Sequence, residues 1–360
     1  MARKTALYQV HLEHKAKLIN FSGCYLPLHY GSALGEHQSV RDIAGMFDVS
    51  HLQLLDVCGS GATHWLRIMM SNDVAKLSDG MGMYTCLCKE NGGVVDDMMV
   101  FRISGNHYRI SIDSARREKD LAWMNARLTR DVEIVEVSGL STIAVQGPDA
   151  VKLISAACDS SSLSRQLYSM PRHSITIMND WSISRMGFTG EDGLEITLPD
   201  SHAAGLWQAL SDQGIAPAGL GARNTLRLEA GFSLYGQDID GRHSPAESGV
   251  AHTIDISDED RQFAGRKVLE DHKLFGGRKF QIGLVLEGKG LLRRGARVEL
   301  VGESIGSISS GCYSPKRAAS IGLARVSRKF EGRCDVEVDG HLQPAHVTSL
   351  PFVPHGLARE

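Results

Sequence analysis

Two hydrophobic patterns divide the chain. After about residue 275 it holds only short runs in which apolar and polar residues alternate: "FQIGLVLE", "ARVELV", "SIGSISSG", "SIGLARV", "CDVEV" and "AHVTSL". A period of two marks half-buried strands, so Lys279 to Val353 is predicted to form a small all-β domain closed into a barrel. "FGGRK", just before it, reads as a linker. Before residue 275, strand-like and helix-like segments alternate. "GMFDVSHLQLLDV" reads as one alternating strand. "GSGATHWLRIMMSND" reads as a turn feeding an amphipathic helix, with Trp65, Ile68 and Met69 on its apolar side. "MGMYTCLC", "GVVDDMMVF" and "HYRISID" follow as strands, and "SARREKDLAWMNARL" as a helix capped by Ser114. "WSISRMGFTGEDGLEITLP" is a hairpin and "PAGLGARNTLRLEAG" a helix. Strands that return as antiparallel neighbours between helices predict an α+β architecture rather than a doubly wound parallel sheet.

Composition narrows the class. The chain has 360 residues, 42% of them hydrophobic and 22% charged, enough for two or three domains with their own cores. A net charge of −3 supplies no polycationic field, so nucleic acid is not an expected partner. No apolar run approaches the ~20 residues of a membrane span. "MARKTALYQVHLEHK" lacks the apolar centre of a signal peptide, and the seven cysteines include no C-x-x-C pair. Both features predict a cytoplasmic protein with reduced, packed cysteines. Fifteen histidines show no H-E-x-x-H or similar spacing, so no bound metal is expected.

Three stretches carry candidate chemistry. In "GGVVDDMMVF", Asp96 and Asp97 sit side by side in an apolar strand, where a buried carboxylate needs a partner. Neighbouring strand residues point to opposite faces. Alternation sets Asp96 with Val94, Met98 and Val100, and Asp97 with Val95, Met99 and Phe101. The two acids therefore cannot act as a pair without a local bulge, and alternation does not say which of them faces a cavity. In "GFTGEDGLEITLP", Glu195 is either a solvated side chain on a half-buried strand or a carboxylate that accepts two parallel N–H donors from a planar heterocycle. In "GLGARNTLRLEAG", Arg223 and Arg227 stack one turn apart. They form either a solvated ion-pair face or a contact to a substrate carboxylate or ring.

Eight motifs in one order carry a resemblance: "LPLHYGS", "GMFDVSH", "NDVAKL", "NGGVVDD", "IAVQGPDA", "GFTGEDGLE", "GLGARNTLRLEAG" with "SLYGQD", and "GSISSGCYSP". With them the chain resembles the T-protein family of the glycine cleavage system, over about residues 4 to 354. The resemblance implies a three-domain cloverleaf around a central folate channel. Two interleaved α+β domains would fill 1–275, the second inserted at roughly 52–138, and a β-barrel would fill 276–360. It implies an aminomethyltransferase that takes a one-carbon unit from the aminomethyl-lipoyl arm of the H-protein to tetrahydrofolate. Ammonia and methylene-tetrahydrofolate are the products. By the same resemblance Asp97, the second acid of "VVDD", is the catalytic carboxylate, and Tyr84, Glu195 and Arg223 line the folate pocket. Phe188 and Phe232 stand where members carry Tyr or another aromatic, and Arg359 matches a folate-contacting arginine. Asn224 departs from the Asp of "GARD" and Cys24 from the Trp of "GW".

Two other functions fit a folate fold. One is a folate-dependent one-carbon acceptor related to demethylating oxidases; those are usually fused to a flavin domain, and no G-x-G-x-x-G region is present. The other is a non-enzymatic folate-binding protein of the kind that assists iron–sulfur assembly. Such proteins are shorter and carry a cysteine motif absent from this chain.

Overall fold

The computed structural model describes residues 2–158 and 161–354. Arg3–Lys4, Cys24–His29 and Lys17–Phe21 make a small three-stranded sheet. A six-stranded sheet follows the order Ile175–Met178, Trp181–Ser184, Gly193–Pro199, Leu140–Gln146, Gly45–Asp48 and Ala216–Pro217. A five-stranded antiparallel sheet runs Gly82–Cys88, Val94–Ser104, His107–Asp113, Leu52–Cys58 and Glu133–Val137. Phe280–Leu286, Ala319–Val326, Glu303–Ser314, Arg297–Leu300, Arg333–Val338 and His341–Thr348 close into a barrel. The architecture is α+β with a C-terminal six-stranded barrel, and the barrel begins where the alternating pattern does.

Each unit has its own apolar core. On one face of the six-stranded sheet, Met46, Ile143, Ile196 and Leu198 pack with Ala203, Trp207 and Leu210 of the helix Asp200–Asp212. One face of the five-stranded sheet buries Val95, Met98, Val100 and Tyr108 against Trp65, Leu66 and Met69 of the helix Ala62–Met69 and Met124 of the helix Arg117–Asn125. Ile68 is exposed and Leu66 takes the core position expected for it, because Trp65, Leu66 and Met69 form one stripe at the helical period.

The two larger sheets turn their remaining faces toward each other, and these faces are more polar. Glu195, Thr197, Ser182, Ser184 and Thr142 of one meet Ser111, Arg109, Leu54 and Phe101 of the other across a small gap. A much larger cavity shares Leu52, Ser111, Met186 and Glu195 with this gap.

Two local readings of the pattern are revised. "GMFDVSHLQLLDV" is not one strand: Gly45–Asp48 and Leu52–Cys58 belong to different sheets. Asp48 breaks the run. Its buried carboxylate accepts from Ser50 N at 2.9 Å and from Thr5 Oγ1 at 2.8 Å, so the backbone turns and carries the chain from one sheet to the other. Ser114 does not cap the following helix; its hydroxyl donates to Ser22 O at 2.8 Å, while Asp113 Oδ1 accepts from Ala115 N at 2.8 Å. Cys24, Cys58, Cys86, Cys88, Cys312 and Cys334 are free thiols. Among the described residues, no helix is long and apolar enough to cross a membrane.

Candidate active site

The large cavity encloses about 370 Å³, within the range of small-molecule sites. Its walls come from both α+β units and from the segment 231–252; among the described residues the barrel contributes no lining side chain. The barrel instead supports the wall from behind. Arg325 donates to Asp238 O and to Ser248 Oγ, and Ser309 and Ser310 donate to the Asp238 carboxylate.

Val94–Ser104 resolves the two-acid question. Asp96 points with Met98 and Val100 into the second unit's core, and Asp97 shares the cavity side with Met99. The expected partners at the strand's start are exchanged. A β-bulge shifts the register, so that Leu87 pairs with Asp96 but Cys88 with Val94. Val95, left between, joins the core beside Met98, and Val94 packs with Cys86 and Cys88 on the other face.

Tyr84 Oη donates to Asp97 Oδ2 at 2.7 Å, and Asp97 Oδ1 has no hydrogen-bond partner among the described residues. Burial, with the neighbouring Asp96 adding to it, pushes the Asp97 carboxyl up to about 6. A group so placed changes charge near neutral pH and keeps one oxygen available to a ligand. Asp96 is fully buried and accepts from Arg116 Nε at 2.6 Å. Burial and a contact with the buried Asp120 carboxyl push Asp96 up to about 8, so the pair retains a proton at neutral pH.

Glu195 and Arg223 occupy the opposite wall. Glu195 rides on Gly193–Pro199, which lies close against Leu140–Gln146; a Cβ at Gly193 would sit 2.1 Å from Val145 O, so only glycine admits that approach. Both faces of this strand are covered, and Glu195 is buried rather than solvated. Its pKa is raised by burial, opposed by Arg223. Neither Glu195 nor Arg223 makes an ion pair within 4 Å among the described residues. Arg223 instead lies 4.7 Å over the Phe188 ring, and the Phe188 and Phe232 rings stand 5.8 Å apart at 31°. The wall thus presents a carboxylate, a guanidinium and two aromatic faces to whatever enters.

Arg227 departs from the solvated alternative. It is buried, bonded to Asp238 at 2.8 Å, and accepts no role in the cavity wall. Asn224 Oδ1 accepts from Arg227 Nε at 3.0 Å, so the amide at this position still holds the arginine. Arg359 lies outside the described residues.

Three histidines and an arginine of the lining were not singled out in the sequence. His51 sits at the sheet-to-sheet crossing, buried, with Nδ1 unpartnered; burial first and Arg223 second push it down to about 4, so it is neutral. His252 stacks on Tyr84 at 6.0 Å, and burial lowers both His252 and His173. Arg116 reaches the cavity from the start of the helix Arg117–Asn125. The "SH" of "GMFDVSH" was a usable signal for His51; nothing local singles out the other three. Among the described residues, no group of three or more His, Cys, Asp or Glu is arranged to hold a metal ion.

Residues 7–258 match the GCVT N-terminal domain, and residues 279–354 match the glycine cleavage T-protein C-terminal barrel domain. The chain is 41% identical over 359 residues to an aminomethyltransferase of Alcanivorax borkumensis, with 99% of each chain covered. It is 41% identical over 363 residues to an aminomethyltransferase of Legionella pneumophila, again with 99% of each covered. Among solved structures it is similar to the glycine cleavage system aminomethyltransferase T from Bartonella henselae, at TM-score 0.91 and 30% identity over 98% of both chains.

Proposed function

The chain belongs to the glycine cleavage T-protein family, and from that membership we propose how its cavity performs the transfer. The protein is an aminomethyltransferase that uses tetrahydrofolate as substrate. In this reading the donor is the aminomethyl-lipoyl arm of an H-protein, the acceptor is tetrahydrofolate, and the reaction runs in the cytoplasm.

The observation that carries the reading is the set of cavity charges without an ion-pair partner among the described residues. A pterin edge offers parallel N–H donors, and the Glu195 carboxylate accepts such a pair at both oxygens. Phe188 and Phe232 supply apolar faces for a flat ring. Arg223 meets the ring's polar atoms or carbonyl. Asp97 serves the chemistry. As the carbon–sulfur bond breaks, the electron pair leaves on the lipoyl sulfur and positive charge develops on the aminomethyl group. A carboxylate fixed by Tyr84, with one oxygen free, stabilises that charge without having to reorganise. The folate nitrogens then take the carbon; their two protons end on the thiol and on the departing ammonia. Asp97, changing charge near neutral pH, is suited to relay them.

The test is direct. Purified protein, aminomethyl-loaded H-protein and tetrahydrofolate are expected to release ammonia in proportion to the folate supplied. No folate-dependent release would sink the reading.

A further inference from the structure

Arg116 stands where three parts of the site meet. Its Nε donates to Asp96 at 2.6 Å, and its Nη1 lies 3.5 Å from Asp113 Oδ2 on the adjacent strand. Its guanidinium carbon is 4.6 Å over the ring of Tyr235, which belongs to the segment 231–252 that forms the far wall. Lys119, one turn along the helix, reaches the same ring at 4.4 Å and donates to the Tyr235 hydroxyl at 3.1 Å. The second unit thus grips the wall of the first through two cations on one aromatic ring. Arg116 also lines the cavity itself.

Resting on the reading of Asp97 above, we propose that Arg116 is a positioning residue for the transfer: it clasps the two-acid strand to the Tyr235 segment and supplies the cationic field in which Asp97 ionises.

The surroundings of Asp97 leave that task to Arg116. Tyr84 and Cys86 flank it on the neighbouring strand, and both are neutral because burial holds their pKa values high. Asp113, on the strand paired with that of Asp97, is a carboxylate and supplies no positive charge. His51 is uncharged, and His252, behind Tyr84, is shifted toward its neutral form. Arg223 stands on the opposite wall, nearer to Glu195. The Asp96–Asp120 pair keeps a proton, so it presents Arg116 with one negative charge rather than two. The Tyr84 hydrogen bond and, after it, the Arg116 charge lower Asp97 against burial, and Arg116 is the cation that acts on it.

Two variants of the full chain test this. Asp97 ionisation is followed by carboxyl-carbon NMR titration, which does not depend on turnover, and by the acid limb of kcat against pH. Arg116→Gln, which removes the charge, is expected to raise the Asp97 midpoint by about one pH unit. The acid limb should move with it, and KM for tetrahydrofolate should stay within about threefold. Arg116→Lys, which keeps the charge but not the planar fork, is expected to leave the midpoint within about a third of a unit. It is the variant that decides if the Gln protein does not fold. The inference is overturned if Arg116→Gln leaves the midpoint in place, if Lys displaces it as far as Gln, or if the whole loss lies in KM. A midpoint that moves while the kcat limb stays would uphold Arg116's field on Asp97 and refute Asp97 as the catalytic group.

Discussion

The helix Leu220–Glu229 has two sides that treat charge in opposite ways. Toward the barrel, Arg227 and Glu229 are buried and fully partnered. Arg227 holds Asp238 at 2.8 Å, Ser310 at 3.0 Å and Phe232 O at 3.0 Å. Glu229 meets His37 and Arg41, each at 2.8 Å, and also Ser314. Although burial alone would push it up, these neighbours hold Glu229 below the usual carboxylate range. Toward the cavity, Arg223 and the facing Glu195 have no ion-pair partner among the described residues, and burial shifts each away from its charged form. A charge taken out of water is stable only if something replaces the water. On the barrel side the protein supplies the replacement; on the cavity side it is left to the ligand. Arg227, paired, ties the helix to the barrel side; Arg223, without an ion pair among the described residues, lines the cavity.

That contrast can be broken residue by residue. The largest expected effect is on stability. Arg227→Ala strands the buried Asp238 carboxylate and should cost about 3–5 kcal/mol in urea unfolding. Arg223→Ala, one turn earlier, should stay within about 1 kcal/mol of wild type while weakening folate binding. Equal unfolding costs for the two would dissolve the distinction. Next is Asp97→Asn, expected to cut kcat by about 10²–10⁴ while the folate dissociation constant changes only a few-fold. Wild-type activity should fall as pH drops through about 6, because the ionised carboxylate does the work. Stability has the opposite sense. Asp97 binds its proton more tightly folded than unfolded, so it contributes stability below the unfolded value of 3.8, lost as pH rises toward about 6. Asn should abolish that slope. Glu195→Gln comes third: folate binding should weaken by about 10- to 100-fold in titration calorimetry, since one acceptor becomes a donor, with no loss of thermal stability. The smallest effect is Phe188→Tyr, expected to stay within about threefold in folate affinity, because ring stacking survives the change. A large gain there would mean the wall lacks a hydroxyl contact.

Much of this was legible in the chain itself. Alternation located the barrel and nearly all the strands that line the cavity, because the strand period depends only on which side of a residue faces water. It also separated Asp96 from Asp97. The motifs singled out Tyr84, Asp97, Glu195, Arg223, Phe188 and Phe232, and all six line one cavity. Arg116, His173 and His252 were not legible, for they come from a helix start, a loop and a short helical turn far apart in sequence. No local pattern records that such segments will converge. The strand break at Asp48 escaped notice because apolar residues flank it on both sides, and its cause is a set of hydrogen bonds from distant Thr5 and His11 as well as nearby Ser50.

By itself, then, the amino-acid sequence determined the period of most elements, the barrel, and six of the side chains that line the cavity. Those follow from side-chain chemistry and spacing along one chain. Alternation left open which carboxylate of "DD" meets the cavity; the tertiary structure turns Asp97 to it, through the face that the five-stranded sheet presents to its neighbour, and it moved Val94 and Val95 to unexpected sides through one bulge. It alone decided which of two arginines keeps a free charge. Whether a buried charge is paired depends on what packs against it from another part of the chain, and that is a property of contacts, which no single segment contains.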